Sequence, residues 1–121
     1  MIGVGLDAVD VGRFREVLAR RPTFVERVFS PGERAEMALR ADPVPGFAAR
    51  FAAKEATMKA LGVGLGAFDF SEVEVERTES GQPRLHTSGR AAALAASLGA
   101  TKFSVTLTHT DGLAAAVVLV T

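Results

Sequence analysis

The sequence predicts an α+β domain built on an antiparallel sheet, and three observations predict it. Short stretches of apolar–polar alternation stand near the start, in the middle and near the end of the chain. Between them lie amphipathic stretches that carry their own helix start and stop residues. The last two strand-like runs are joined by Asp111-Gly112, the strongest short hairpin signal, rather than by a crossover helix. At 121 residues one domain over residues 1–121 is expected, large enough for a core without staples.

Each element has a reason. Met1 to Val9 alternates, with Ile2, Val4 and Leu6 on one face and Gly3, Gly5 and Asp7 on the other. The bare glycine face fits either a bulge and tight packing or the close approach of a ligand or partner. Asp10 suits a helix N-cap, with Val11, Phe14, Val17 and Leu18 forming one face and Pro22 ending the helix. Thr23 to Glu26 and Ser30 to Glu33 both read as capping boxes, opening two short helices, the second reaching about Arg40. Asp42 to Gly46 is a breaker cluster. Phe47 to Leu61 is the strongest helix, closed by Gly62, and Gly62, Gly64 and Gly66 make a glycine-rich loop. Glu72 to Glu76 alternates as a strand, Ser80 to Pro83 turns the chain, and Arg84 to His86 returns. Ser88 caps a helix through Leu98, Phe103 to Thr108 alternates again, and Leu113 to Val120 is a buried strand.

Composition excludes several function classes. Fourteen basic and fourteen acidic residues cancel, against a general nucleic-acid binder. With no Cys there is no disulfide, thiol nucleophile or Cys-based metal site. The eight-residue apolar run Leu113 to Val120 falls short of the ~20 a membrane helix needs, so no membrane partner is expected. No basic leader precedes the first apolar residues, and a cytoplasmic setting is expected.

The chemistry concentrates on the helix over Phe47 to Leu61. Phe47, Phe51, Met58 and Leu61 share one stripe, Lys54 lies inside it, and Arg50 and Glu55 border it on either side. Glu55 and Lys59 fit an ordinary i,i+4 pair, with lysine stems lying over apolar surface. The same residues also fit an anion site, in which Arg50, Lys54 and Lys59 supply positive charge and the glycine loop supplies N–H groups. Glu55 with Asp7 would then form a carboxylate pair for a hard cation such as Mg²⁺. The loop lacks the Lys-Ser/Thr ending of a nucleotide-hydrolysing P-loop. His109, in phase with Phe103, Val105 and Leu107, is either a histidine at the core edge or a ligand contact at the sheet rim. Arg13 to Arg27 holds five Arg against Glu16 and Glu26, either a solvated face or a docking surface for an acidic partner.

Three segments carry a family resemblance: Gly3 through Asp7 to Phe14, Phe24 to Pro31, and Arg50 through Glu55 and Lys59 to Gly62. Together they resemble the holo-acyl-carrier-protein synthases, the small single-domain class of 4′-phosphopantetheinyl transferases. Ser80 to Pro83 and Thr106 to His109 match later signatures of that family, in the same order. Thr106 stands where the family usually has Ser, and Ala41 to Gly46 lacks the aromatic common before the Arg-Phe-Ala-Ala segment.

The resemblance implies transfer of phosphopantetheine from coenzyme A to a serine of an apo carrier, with release of adenosine 3′,5′-bisphosphate. It implies Asp7 and Glu55 as Mg²⁺ ligands, Glu55 and Lys59 as catalytic groups, and Lys59, Gly62 and Gly64 near the pyrophosphate. Arg50 and His109 would contact the 3′-phosphate, and Gly81 and Pro83 the adenine. Arg13 and Arg20 would grip the acidic acyl carrier protein. A homotrimer with sites between subunits is implied, with the bare glycine face near Asp7 and the final strand available for that interface. The alternative class is a non-catalytic coenzyme A-binding or scaffold module on the same fold.

Overall fold

In the computed structural model, which describes residues 2–121, the first strand and first helix meet at Asp10. Strand β1 (Gly3–Asp10) runs into helix α1 (Val11–Arg20), and the Asp10 carboxylate caps it by accepting from the Arg13 N–H at 2.9 Å. Met1, the first residue of the expected strand, lies outside the described residues. Two short helices follow, α2 (Phe24–Val28) and α3 (Pro31–Met37), then the long helix α4 (Val44–Ala60). A 3-10 turn at Phe70–Glu72 leads into β2 (Val73–Arg77) and β3 (Pro83–Thr87). Helix α5 (Gly89–Ser97) and the hairpin of β4 (Phe103–His109) and β5 (Leu113–Val120) complete the chain.

The expected α+β class with antiparallel pairing is what the chain adopts. Strands β1, β5 and β4 form a three-stranded antiparallel sheet with β5 in the middle, while β2 and β3 form a separate hairpin. The register sets Asp7 opposite Ala116 and Ala116 opposite Leu107, one row across the sheet.

Helix α4 covers the inner face of this sheet, and its contact with β1 selects tight packing from the two readings of the bare glycine face. Gly3 and Gly5 point inward, whereas Val4 and Leu6 are 55% and 62% exposed on the outer face. A Cβ on Gly3 would stand 1.9 Å from the Ala60 carbonyl oxygen, and one on Gly5 1.8 Å from that of Ala56. Only a strand without side chains lets the helix lie this close. The glycine face is therefore filled by α4 and is not open to a neighbouring subunit. The open face is the apolar one, where Val4 pairs with Leu119, Leu6 with Val117 and Ala8 with Ala115.

Alanines make the rest of the α4 contact, and the stripe of large residues is only part of the buried face. Ala48, Ala49, Ala52, Ala53, Ala56 and Ala60 are all buried with Phe47 and Leu61, while Phe51 and Met58 are only partly so. One core lies between α4, α5, the β2–β3 hairpin and the sheet. A second gathers phenylalanines from α1, α2 and α4: Phe14 meets Phe24 edge-on at 5.8 Å, and Phe29 meets Phe47 at 4.6 Å.

Local signals held where partners are local. Ser30 and Glu33 make the expected reciprocal box, Ser30 Oγ accepting from the Glu33 N–H and Glu33 Oε1 from the Ser30 N–H. That helix stops at Met37 rather than near Arg40. Thr23 makes no side-chain cap, because its backbone is already helical at φ −86° and ψ −6°. Ser88 makes none either; Glu72, from across the chain, accepts from the Arg90 N–H at 2.8 Å in its place. The Asp42–Gly46 cluster does not hold the helix off until Phe47, since Pro45 sits in the first turn, where its missing N–H has no helical partner to lose.

Candidate active site

The predicted residues divide between the two flanks of α4. On the β1 flank, Lys59 Nζ donates to Asp7 Oδ1 at 3.0 Å and to the Leu6 carbonyl at 3.1 Å. The Asp7 side chain is largely buried and that of Lys59 half exposed. The expected Glu55–Lys59 pair is not made, because Asp7 takes the ammonium. Glu55 stands beside them: burial pushes its carboxyl above the usual range, the Asp7 charge pushes it further, and Lys59 draws it partly back. Two carboxylates that repel each other are thus held next to one ammonium.

That donor set suits a particular kind of cation. Among the described residues no group of three or more His, Asp or Glu side chains comes together. Two carboxylates alone make a poor structural metal site, but they fit a hard ion such as Mg²⁺. That ion takes one or two carboxylates and completes its shell with water and substrate phosphate.

On the other flank, Arg50 is buried, donates to the Gly46 carbonyl at 3.4 Å and pairs with Glu36 at 3.1 Å. It lines a cavity of about 120 Å³ with Val75, Arg77, Gly81, Pro83 and Leu107. Gly81 turns the β2–β3 hairpin at φ +85°, a conformation that favours glycine. His109 ends β4 two residues beyond Leu107 and is exposed. A wider groove of about 510 Å³ runs on from Pro83 between β3 and β4, past Arg84, His86 and Lys102.

These two groups do not meet within one chain. Arg50 and Lys59 are nine residues apart, which at ~100° per residue turns them about 180° from each other. Their neighbouring strands, β1 and β4, are opposite edges of the sheet with β5 between, ~10 Å apart. The chain therefore displays two half-sites, one with carboxylates and ammonium and one with guanidinium and hairpin turn.

The remaining predicted residues fall as follows. Gly62 takes φ +71° and returns its N–H to the Lys59 carbonyl at 3.0 Å, so it closes α4 and has no donor left for a ligand. Gly64 is exposed in the loop beyond. Arg13 and Arg20 are exposed on α1, Arg20 lying 3.9 Å from Glu16.

Lys54 corrects the anion-site expectation. It is fully buried and its donors are taken within the protein, its ammonium 2.8 Å from Glu33 Oε1 and 2.9 Å from the Phe70 carbonyl, with Val73 O as third acceptor. Burial pulls its pKa down, and Glu33 works against that. The other oxygen of Glu33 accepts from the Val75 N–H at 2.9 Å, so one carboxylate joins α3, α4 and β2. Glu33 was legible only as a cap. The signal for more was Lys54 itself, since a lysine inside an apolar stripe requires a buried counter-charge.

The fold has known counterparts. The family model of the 4′-phosphopantetheinyl transferase superfamily matches residues 3–118. A holo-acyl-carrier-protein synthase of Moorella thermoacetica is 42% identical over 120 residues, covering 99% of this chain and 94% of that protein. One from Streptomyces griseus is 44% identical over 119 residues, covering 98% and 97%. The crystal structure of the Neisseria meningitidis holo-acyl-carrier-protein synthase superposes with a TM-score of 0.91 at 28% identity, covering 100% of this chain and 99% of that one. The Helicobacter pylori enzyme, solved in complex with coenzyme A, superposes at 0.83 with 28% identity, covering 98% and 99%. The chain belongs to the holo-acyl-carrier-protein synthases of the 4′-phosphopantetheinyl transferase superfamily.

Proposed function

We propose that this chain moves the 4′-phosphopantetheine arm of coenzyme A onto a serine hydroxyl of an acidic apo acyl carrier protein, leaving adenosine 3′,5′-bisphosphate. The observation that carries the reading is the Asp7–Glu55–Lys59 group at the β1 edge, two repelling carboxylates with an ammonium 3.0 Å from one of them. Transfer of this kind needs positioning and charge stabilisation rather than an enzyme nucleophile. Asp7 and Glu55 would hold Mg²⁺, which when bound polarises the pyrophosphate and stabilises the leaving bisphosphate. Lys59, beside Asp7 at 3.0 Å, would present its ammonium to the pyrophosphate, and Gly64 lines the same side. Glu55, directly or through a water on that ion, would accept the serine proton.

The opposite flank binds the nucleotide. Arg50 and His109 hold the 3′-phosphate, and Gly81 and Pro83 face the adenine. Because the half-sites point apart, a full site needs a second copy of the chain, and a homotrimer supplies one at each interface. The apolar outer face of β1 and β5, with Val4, Leu6, Val117 and Leu119, suits burial in that assembly. Arg13 and Arg20 on α1 meet the acidic carrier, and the reaction takes place in the cytoplasm.

The test is direct. The protein is incubated with coenzyme A, a panel of apo carriers and Mg²⁺ or a chelator, and the carriers are weighed by mass spectrometry. The reading requires one added phosphopantetheine group with Mg²⁺ and none with chelator. Carriers that all stay unmodified would overturn it.

A further inference from the structure

The side chains of Lys54 and Glu33 are both closed off from solvent, and the proposed transfer gives neither of them a task. The three ammonium protons have three acceptors: Glu33 Oε1 at 2.8 Å, the Phe70 carbonyl at 2.9 Å and the Val73 carbonyl. Glu33 is engaged as fully, since Oε1 also accepts from the Ser30 N–H and Oε2 from the Val75 N–H. Buried and so occupied, neither group meets a substrate.

Their place in the fold sets two things that the transfer needs. Lys54 directly precedes Glu55 on α4, and its acceptors Phe70 and Val73 stand where the chain returns from the glycine-rich loop. One ammonium therefore ties the helix that the loop leaves to the turn and strand that it enters. Lys54 also opposes the β1 contact. Ala56 and Ala60, which meet Gly5 and Gly3, lie ~200° and ~240° around α4 from it at ~100° per residue. A contact on one side leaves a helix free to pivot there, and a second on the far side stops the roll. A roll of ~10° carries a side-chain atom ~6 Å from the axis through about 1 Å. Misplacement of that size can cost on the order of 10²-fold in rate. Stability alone would not require the charges, because apolar residues of similar volume often serve as well in a core. The pair adds direction: fixed hydrogen bonds to named backbone atoms.

Resting on the transferase reading above, we propose that Lys54 and Glu33 are positioning residues for the transfer. Their ion pair fixes the roll of α4 and the return of the glycine-rich loop. Through these it places Glu55, Lys59 and Gly64 relative to one another.

Three variants separate positioning from stability. Lys54→Met strands the Glu33 charge, Glu33→Gln strands the Lys54 charge, and the double variant Lys54→Met with Glu33→Gln removes both. In urea the double variant should denature nearer to wild type than either single one. Its kcat should nevertheless fall about 10- to 100-fold, while the KM values for coenzyme A and carrier stay within about threefold. Amide hydrogen exchange without substrate should be about tenfold faster over residues 61–69 and unchanged in the β4–β5 hairpin. Wild-type kcat or wild-type loop exchange in the double variant would overturn the proposal. So would a kcat that follows the urea midpoint from variant to variant, which is what a purely structural pair produces. Circular dichroism identifies any variant that does not fold, and the same split between kcat and KM is required of those that do. A wild type that modifies no carrier would sink the transferase reading, and loop exchange would still decide whether the pair holds the loop.

Discussion

Gly5→Ala is the substitution that most sharply links packing to chemistry. The added methyl would stand 1.8 Å from the Ala56 oxygen and 2.7 Å from its carbonyl carbon, where Cβ contacts below 3.0 Å essentially do not occur. Both atoms are backbone, so no side chain can swing aside, and α4 must move off β1 by about 1.2 Å merely to reach the 3.0 Å floor. Overpacking of this kind costs about 1–3 kcal/mol, and a clash with rigid backbone belongs at the upper end. Gly5 lies two residues before Asp7, and Ala56 directly follows Glu55. The displacement therefore widens the carboxylate pair itself. A misplacement of ~1 Å can cost on the order of 10²-fold in rate. Urea denaturation and initial-rate kinetics on a folded sample should show both losses, with kcat falling about 100-fold. A Gly5→Ala protein with wild-type denaturation midpoint and wild-type turnover would refute the close-packing argument.

Three further outcomes are expected. Lys54→Met leaves Glu33 buried without its counter-charge and should cost about 3–5 kcal/mol in a denaturant titration; an unchanged midpoint would show that the pair holds nothing together. Glu55→Gln should raise the melting temperature of the metal-free protein at neutral pH. A raised carboxyl stabilises the fold only while protonated, so the wild type loses that contribution as pH rises through the folded value. The gap should close below the ordinary value of 4.5 and would have the wrong sign if the variant melted lower at pH 7. Arg13→Ala should raise the KM for carrier several-fold and leave that for coenzyme A near wild type, with weaker salt dependence of carrier binding; the opposite order in steady-state kinetics would remove α1 from carrier docking.

Much of this was readable from residues alone, and the failures have a common cause. Asp10, Ser30 with Glu33, Gly62 and Asp111-Gly112 act on partners a few residues away, so their effects appear in sequence. Ser88 was misleading because Glu72 supplies the cap from sixteen residues earlier, which no local pattern reveals. Alternation identified β1 but not which face it buries. Apolar residues usually turn inward, yet Gly3 and Gly5 face Ala56 and Ala60, and the complementarity of two small-residue surfaces shows only when both segments are side by side. The same bias toward large residues drew the helix stripe through Phe47, Phe51, Met58 and Leu61 and passed over the alanines that are buried with Phe47 and Leu61.

The site divides in the same way. Asp7, Glu55 and Lys59 were identifiable by type and spacing, and they meet. Lys54 was counted with the anion-binding groups because spacing cannot tell a buried ion pair from a ligand contact; Glu33 lies 21 residues away. Arg77 carried no motif at all. Only the folding of the β2–β3 hairpin against α4 brings it to the cavity that Arg50 lines.

The proposed reaction needs a second copy of the chain to complete the two half-sites that α4 separates. Co-expression of Glu55→Gln with His109→Ala tests it, since each variant damages one half-site and leaves the other whole. If sites form between chains, random mixing rebuilds about one quarter of them from two intact halves, and transfer to apo carrier should return to that share of wild type. Mixed oligomers no more active than the two variants assayed apart would contradict the shared site.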